Sequence, residues 1–227
     1  MDSSGVIIII ALAVVFLAIL GIGIWREKKR QEAFQALADE MGLTYAPGRN
    51  YSLPERYFFL NQLDKGDNRY VQHVFRGTYD GLPVMFFEYH YETSSTTSKG
   101  GRTVHHYYLS VFLTKVPGPA PELTIRPEGF FSKVAQALGY DDIDFESAEF
   151  SRKYCVRSKD KKFAYDICHP AAIEFLLSHP YADIEIEGNE MAIVQESGLD
   201  KLETPANLIL LTRFRRLWPD YLEGISA

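Results

Sequence analysis

A chain of 227 residues with 46% apolar and 24% charged side chains is a folding sequence, long enough for one domain of ordinary size plus accessories. Its net charge of −6, with no finger-like Cys/His spacing and no glycine-rich RNA motif, excludes general nucleic-acid binding. The two cysteines, Cys155 and Cys168, form no disulfide framework and read as buried structural thiols.

Residues 1–4 form a short tail. From Gly5 to Trp25 runs "GVIIIIALAVVFLAILGIGIW", without a single charge. As a helix it would span roughly 31 Å, against a hydrocarbon core of about 30 Å. A secretory signal would need basic residues ahead of a shorter apolar stretch and a small-residue cleavage site. Here Asp2 is the one charged side chain before the run, and "REKKR" follows it. We read 5–25 as a transmembrane helix that contacts the lipid bilayer. Because basic flanks favour the cytoplasmic side, the protein is expected to be a single-pass cell-membrane protein, N-terminus outside and body cytoplasmic. Arg26, Lys28, Lys29 and Arg30 then form a basic group next to the lipid headgroups.

Residues 26–43 read as a juxtamembrane helix, with Phe34, Leu37 and Met41 at helical spacing and Gly42 as C-cap, either continuous with the span or broken near Trp25. The rest, 44–227, reads as one cytoplasmic α+β domain. After a possible short helix at "LPERYFFL" and a turn at "DKGDN", three β-rich runs follow: "RYVQHVFRGTY", "LPVMFFEYHYE" and "TVHHYYLSVFLTKV". Asp80-Gly81 marks a two-residue hairpin, and "VPGPAPEL" is expected to close the meander. A short strand "ELTIRP" and a helix over 127–138 come next. Then "DIDF" and "RKYCVRS" read as strands, and "KDKKFAYDIC" and "HPAAIEFLLS" as helices separated at His169-Pro170. "ADIEIEGNEMAIVQE" reads as a second hairpin turning at Gly188-Asn189, with Ile186 facing Met191. A last helix runs from Thr204-Pro205 to Trp218-Pro219. The fold class expected is α+β: an N-terminal transmembrane helix, then a mainly antiparallel sheet with several packing helices.

One constellation draws attention. Pairing Tyr91 with His105 places His90 opposite His106 and Glu88 opposite Tyr108, with His73 opposite Glu88 and Glu92 on the same face. His90, His106 and Glu88 are then candidate metal ligands, since opposed Cβ atoms lie about 4.5–5.5 Å apart. The competing reading is a plain polar sheet face, partly covered beside Val84, Phe75, Phe86 and Phe112. The loop "TSSTTSKGG" lacks the order of a phosphate loop, whose glycines precede its Lys, and is read as a polar loop suited to partner contact. "RFRRLW" offers a basic helix face for lipid or a partner. No catalytic motif occurs, so no catalytic or cofactor-binding residue is named, and any cofactor stays unknown.

The order of anchor, "FQALADEMGL", "VFRGTYDGLPVMFFEYHYET", "GYDDIDFESAEFSRKYCVRSKDKKFAYDI" and "ADIEIEGNEMAIV" resembles an uncharacterised family of prokaryotic membrane-anchored proteins. The resemblance spans Phe34 to Val194 and rests on structural motifs. It implies a shared fold and a prokaryotic source, and it carries no functional residues. The function expected is a membrane-anchored, cytoplasmic-facing binding or scaffolding module with a possible protein partner. A metal-dependent enzyme or sensor on the histidine-bearing face is the alternative.

Overall fold

The structure, a computed structural model, describes residues 3–57, 60, 63–96, 100–128 and 142–223. Helix α1 (Ser3–Met41) runs unbroken past Trp25. Its apolar side chains from Leu12 to Trp25 are exposed, Ile24 to 72% and Leu17 to 65%. Among the described residues it is the one helix long and apolar enough to cross a membrane. Toward its C-terminus the helix becomes a core element: Phe34, Leu37 and Ala38 are buried. It stops where Gly42 takes a left-handed φ of 69°. There Leu43 N–H reaches Ala38 O and Gly42 N–H reaches Asp39 O, closing the last carbonyls.

The chain then lays down β1 (Thr44–Ala46), a one-turn α2 (Leu53–Arg56), and the long strands β2 (Asp67–Tyr79), β3 (Leu82–Thr96) and β4 (Arg102–Pro127). Next come α3 (Ala148–Lys153), β5 (Tyr154–Ser158), α4 (Lys161–Ile167), α5 (Pro170–Leu177), β6 (Asp183–Gln195), α6 (Thr204–Arg216) and α7 (Asp220–Glu223). The six strands make one antiparallel sheet in the order β1-β2-β3-β4-β5, with β6 also paired to β4. This is the α+β layout expected. Asp80 and Gly81, with φ of 52° and 76°, form the two-residue turn that joins Tyr79 to its partner Leu82.

Each face of the sheet has its own core. One carries Phe75, Phe86 and Phe112, stacked at 4.4 and 5.3 Å, with Phe34 of α1 and Leu208, Leu211 and Phe214 of α6 in the same cluster. The other carries Val71, Phe87, Tyr89 and Val111 under Leu53, Tyr57, Leu60 and Leu63.

Several expected elements differ. The proline-rich stretch does not end the meander. β4 continues through it with a register irregularity between Lys115 and Ala120, and "ELTIRP" is its last part, paired with β5 and β6. The second hairpin is one continuous strand: Ile186 lies opposite Leu123 and Met191 opposite Thr114. Gly188, at φ 59°, sits at a register shift where β4 advances from Lys115 to Leu123 while β6 advances only from Glu190 to Ile186, and the side-chain alternation of β6 reverses there. Ile184, Ile186, Met191 and Ile193 therefore all reach one core, as a hairpin would also have arranged. "DIDF" forms no strand, although Ile143 N–H bonds to Val156 O. Arg152 and Lys153 end α3, which begins with Ser147 accepting from Phe150 N–H. Pro127 closes β4, and the helix expected beyond it lies mostly in 129–141, outside the described residues.

Candidate functional site

Four cross-strand rows cross β2, β3 and β4 on one face and grade from apolar to polar. They are Phe75–Phe86–Phe112, Gln72–Glu88–Ser110, Tyr70–His90–Tyr108 and Asp67–Glu92–His106. Two irregularities in β2, each holding a residue of left-handed φ, interrupt the ladder: Asn68 (49°) and His73 (52°). The expected β3–β4 register is corrected by two residues. Tyr91 pairs with Tyr107, His90 with Tyr108 and Glu88 with Ser110. A shift of two keeps every side chain on its predicted face. Gln72, not His73, lies opposite Glu88, because the bulge after it absorbs one residue.

Glu88 is thereby separated from the two histidines it was grouped with. It is 1% exposed and accepts from Arg30 at both oxygens (3.2 and 2.5 Å), from Gln72 Nε2 at 2.6 Å and from Leu199 N–H at 2.9 Å. Arg30 also donates to Leu199 O at 3.0 Å, so the pair fastens the chain after β6 to the end of α1. A Cβ at Gly198 would stand 2.4 Å from the Glu88 carboxylate, so the approach depends on glycine there. Burial alone would raise the Glu88 carboxyl, but the hydrogen bonds from Arg30 and Gln72 and the Arg30 charge outweigh it and hold it below the usual range.

His73 is fully buried beside this pair. Arg30 donates to its Nε2 at 3.3 Å, so its Nδ1–H donates to Tyr45 Oη at 2.6 Å, and Phe34 meets the ring at 5.1 Å. Burial first, and the Arg30 charge second, lower its pKa and keep it neutral.

A cavity of about 610 Å³ opens between these elements. Its walls are Glu27, Arg30 and Gln31 from α1, Pro47–Arg49 after β1, and Tyr70, Gln72, Glu88 and Tyr108 on the sheet. Arg49 lies over the Tyr70 ring at 4.4 Å. Burial, with Tyr108 close by, pushes the Tyr70 hydroxyl up to about 12. The size suits a small polar ligand.

His90, Glu92 and His106 gather at the outer end of the same face. His90 Nε2 is 3.1 Å from His106 Nδ1, Glu92 Oε1 is 3.3 Å from His106 Nδ1, and His90 Nε2 is 4.0 Å from Glu92 Oε1. His90 is buried and His106 exposed, so the histidine end of the face is open while the phenylalanine end is covered.

The other candidates fall as follows. Arg26, Lys28 and Lys29 are exposed, whereas Arg30 turns inward to Glu88. In "RFRRLW", Arg215 is buried over Trp218 and donates to Lys115 O, and Arg216 pairs with Asp80 at 2.7 Å, which leaves little free basic face. Thr93 to Thr96 of the supposed loop belong to β3 and pair with residues 102–105, and 97–99 lie outside the described residues. Cys155 and Cys168 are free and buried. Burial, reinforced by Asp142, pushes the Cys155 thiol up to about 12, far from nucleophilic.

No family model and no curated protein matches the chain. Its fold is that of a solved protein. The crystal structure of the mycobacterial trehalose monomycolate transport factor A, TtfA, aligns with a TM-score of 0.57 over 83% of this chain and 95% of that one. At 12% identity the likeness establishes the architecture alone.

Proposed function

We propose that the protein is a membrane-anchored binding module that holds a small polar ligand in the Arg30/Glu88 cavity at the bilayer surface. The observation that carries this is the continuity of α1. The helix that presents bare apolar side chains up to Trp25 supplies Glu27, Arg30 and Gln31 to the cavity wall less than two turns later. A ligand in that cavity sits within a headgroup's distance of the membrane, so an amphiphile could offer its polar end there without leaving the bilayer. The Arg30–Glu88 pair supports a preformed site, since a buried carboxylate bonded on both oxygens is fixed before the ligand arrives. The basic flank after Trp25 favours a cytoplasmic body. TtfA, a trehalose monomycolate transport factor, is a compatible precedent for a role in binding an amphiphile.

Gly48 gives a clean test. Gly48 lines the cavity and a Cβ there meets nothing within 4 Å, so Gly48→Trp adds bulk to the cavity wall from a position with open space around it, and an unchanged melting temperature shows that the fold survives. Native mass spectrometry of the full chain, released from detergent, is expected to find a bound membrane-derived molecule in the wild type and none in Gly48→Trp. Identical spectra for the two would sink the proposal. The orientation has its own readout: a fluorescent-protein fusion at the C-terminus glows and an alkaline-phosphatase fusion stays inactive. The reverse pattern would place the body outside.

A further inference from the structure

We propose that His90, Glu92 and His106 form a binding site for one divalent transition-metal ion of the zinc class. The site is distinct from the cavity proposed above and does not depend on it. A tetrahedral zinc with bonds of about 2.0–2.2 Å holds its ligand atoms roughly 3.3–3.6 Å apart. The three atoms here stand 3.1, 3.3 and 4.0 Å from one another, close to those edges before any ion is added.

The hydrogen bonds show where the lone pairs point. His90 Nδ1–H donates to Asn68 O at 3.2 Å, which leaves the Nε2 lone pair directed at His106. His106 Nδ1 faces both that lone pair and the Glu92 carboxylate, and one N–H cannot satisfy two acceptors at 3.1 and 3.3 Å fully. A cation at their centre satisfies all three. Asn68 is the supporting partner of the group: its carbonyl fixes the His90 tautomer and its side-chain amide donates to Glu92 Oε1 at 2.6 Å. Its left-handed φ of 49° inside the β2 bulge is what brings both groups to bear. Tyr70 stacks on the His90 ring at 4.4 Å and Tyr108 flanks it at 4.9 Å, locking the buried ligand in place.

Two imidazoles and one carboxylate are the donor set of zinc sites that keep a coordination position for water or another ligand. The exposure of the His106 side chain, 54%, leaves that position toward solvent. Glu88, the carboxylate expected from the sequence to join His90 and His106, is taken by Arg30, Gln72 and Leu199 and is no ligand.

The test uses the full chain in detergent, stripped with chelator and titrated with Zn²⁺ by calorimetry and with Co²⁺ by visible absorption. One equivalent of Zn²⁺ is expected, with Co²⁺ giving ligand-field bands that Zn²⁺ abolishes. His106→Ala and Glu92→Ala should each weaken binding more than about tenfold, the loss that even an outer partner of a metal ligand can cause. Both side chains are partly exposed, and unchanged melting temperatures will show that the fold survives. His105→Ala, opposite Thr93 on the other face, should bind as the wild type does. Absence of binding, or binding that His106→Ala and His105→Ala affect equally, would overturn the proposal. Gly48→Trp should leave Zn²⁺ binding intact, which separates this test from that of the cavity.

Discussion

His73 shows most sharply how much one residue's setting matters. It sits at φ 52°, a conformation few side chains adopt, fully buried with Arg30 and Glu27 facing it from α1, Tyr45 from β1 and Glu88 from β3. Its folded pKa is lowered, so in acid the unfolded chain takes up a proton that the native ring resists. Stability then rises with pH wherever the unfolded state binds more protons. It is complete above the ordinary imidazole value near 6.5 and falls as pH drops below it, by about 1.4 kcal/mol for each unit the folded value is depressed. His73→Asn tolerates the left-handed backbone and cannot titrate. Thermal melts of the full chain between pH 7.5 and 5 should show a shallower loss for His73→Asn than for the wild type. Equal slopes would mean that another group carries the acid sensitivity. The sequence put His73 on the right face but could not reveal its partner, because Arg30 lies 43 positions away on what read as a lipid-facing cluster.

At the scale of elements, faces were more legible than pairings. Alternation of apolar and polar residues placed His90, His106 and Glu88 on one face and Tyr89, Phe87 and Leu109 on the other, and the structure keeps both assignments. Register was not legible, since a shift of two residues preserves every face and changes every neighbour. That shift is what exchanges Glu88 for Glu92 beside the histidines. Gly188-Asn189 misled for a related reason. A hairpin turn and a break in the ladder at a left-handed glycine both reverse the alternation, and the sequence carries no mark of the long β4 that serves as partner to both halves. The left-handed backbone at that break makes Gly188 accountable. With φ 59° and open space around a Cβ, Gly188→Ala meets a backbone cost but no clash. The substitution should destabilise the fold by about 1–2 kcal/mol in chemical denaturation. A variant as stable as the wild type would show that the strand adapts around that position.

Across the whole molecule, the apolar N-terminal helix runs without a break into the sheet's packing, and under the proposed function binding should depend on the phase of that connection. Arg30 reaches Glu88 only because α1 continues unbroken to the Schellman stop at Gly42, so the cavity is held at a set height and angle above Trp25. Two alanines inserted between Arg26 and Glu27 would turn the span by roughly 200° relative to the body and raise the body by about 3 Å. Everything from Glu27 onward keeps its contacts, including the Arg30–Glu88 pair and the Phe34 packing. The melting temperature of the body should therefore be unchanged. Ligand occupancy, read by native mass spectrometry as for Gly48→Trp, should fall, because the cavity mouth no longer meets the bilayer in its original orientation. Retention of the full complement in the inserted variant would mean that the ligand arrives from solution and that α1 serves as a tether, with no part in presenting the site.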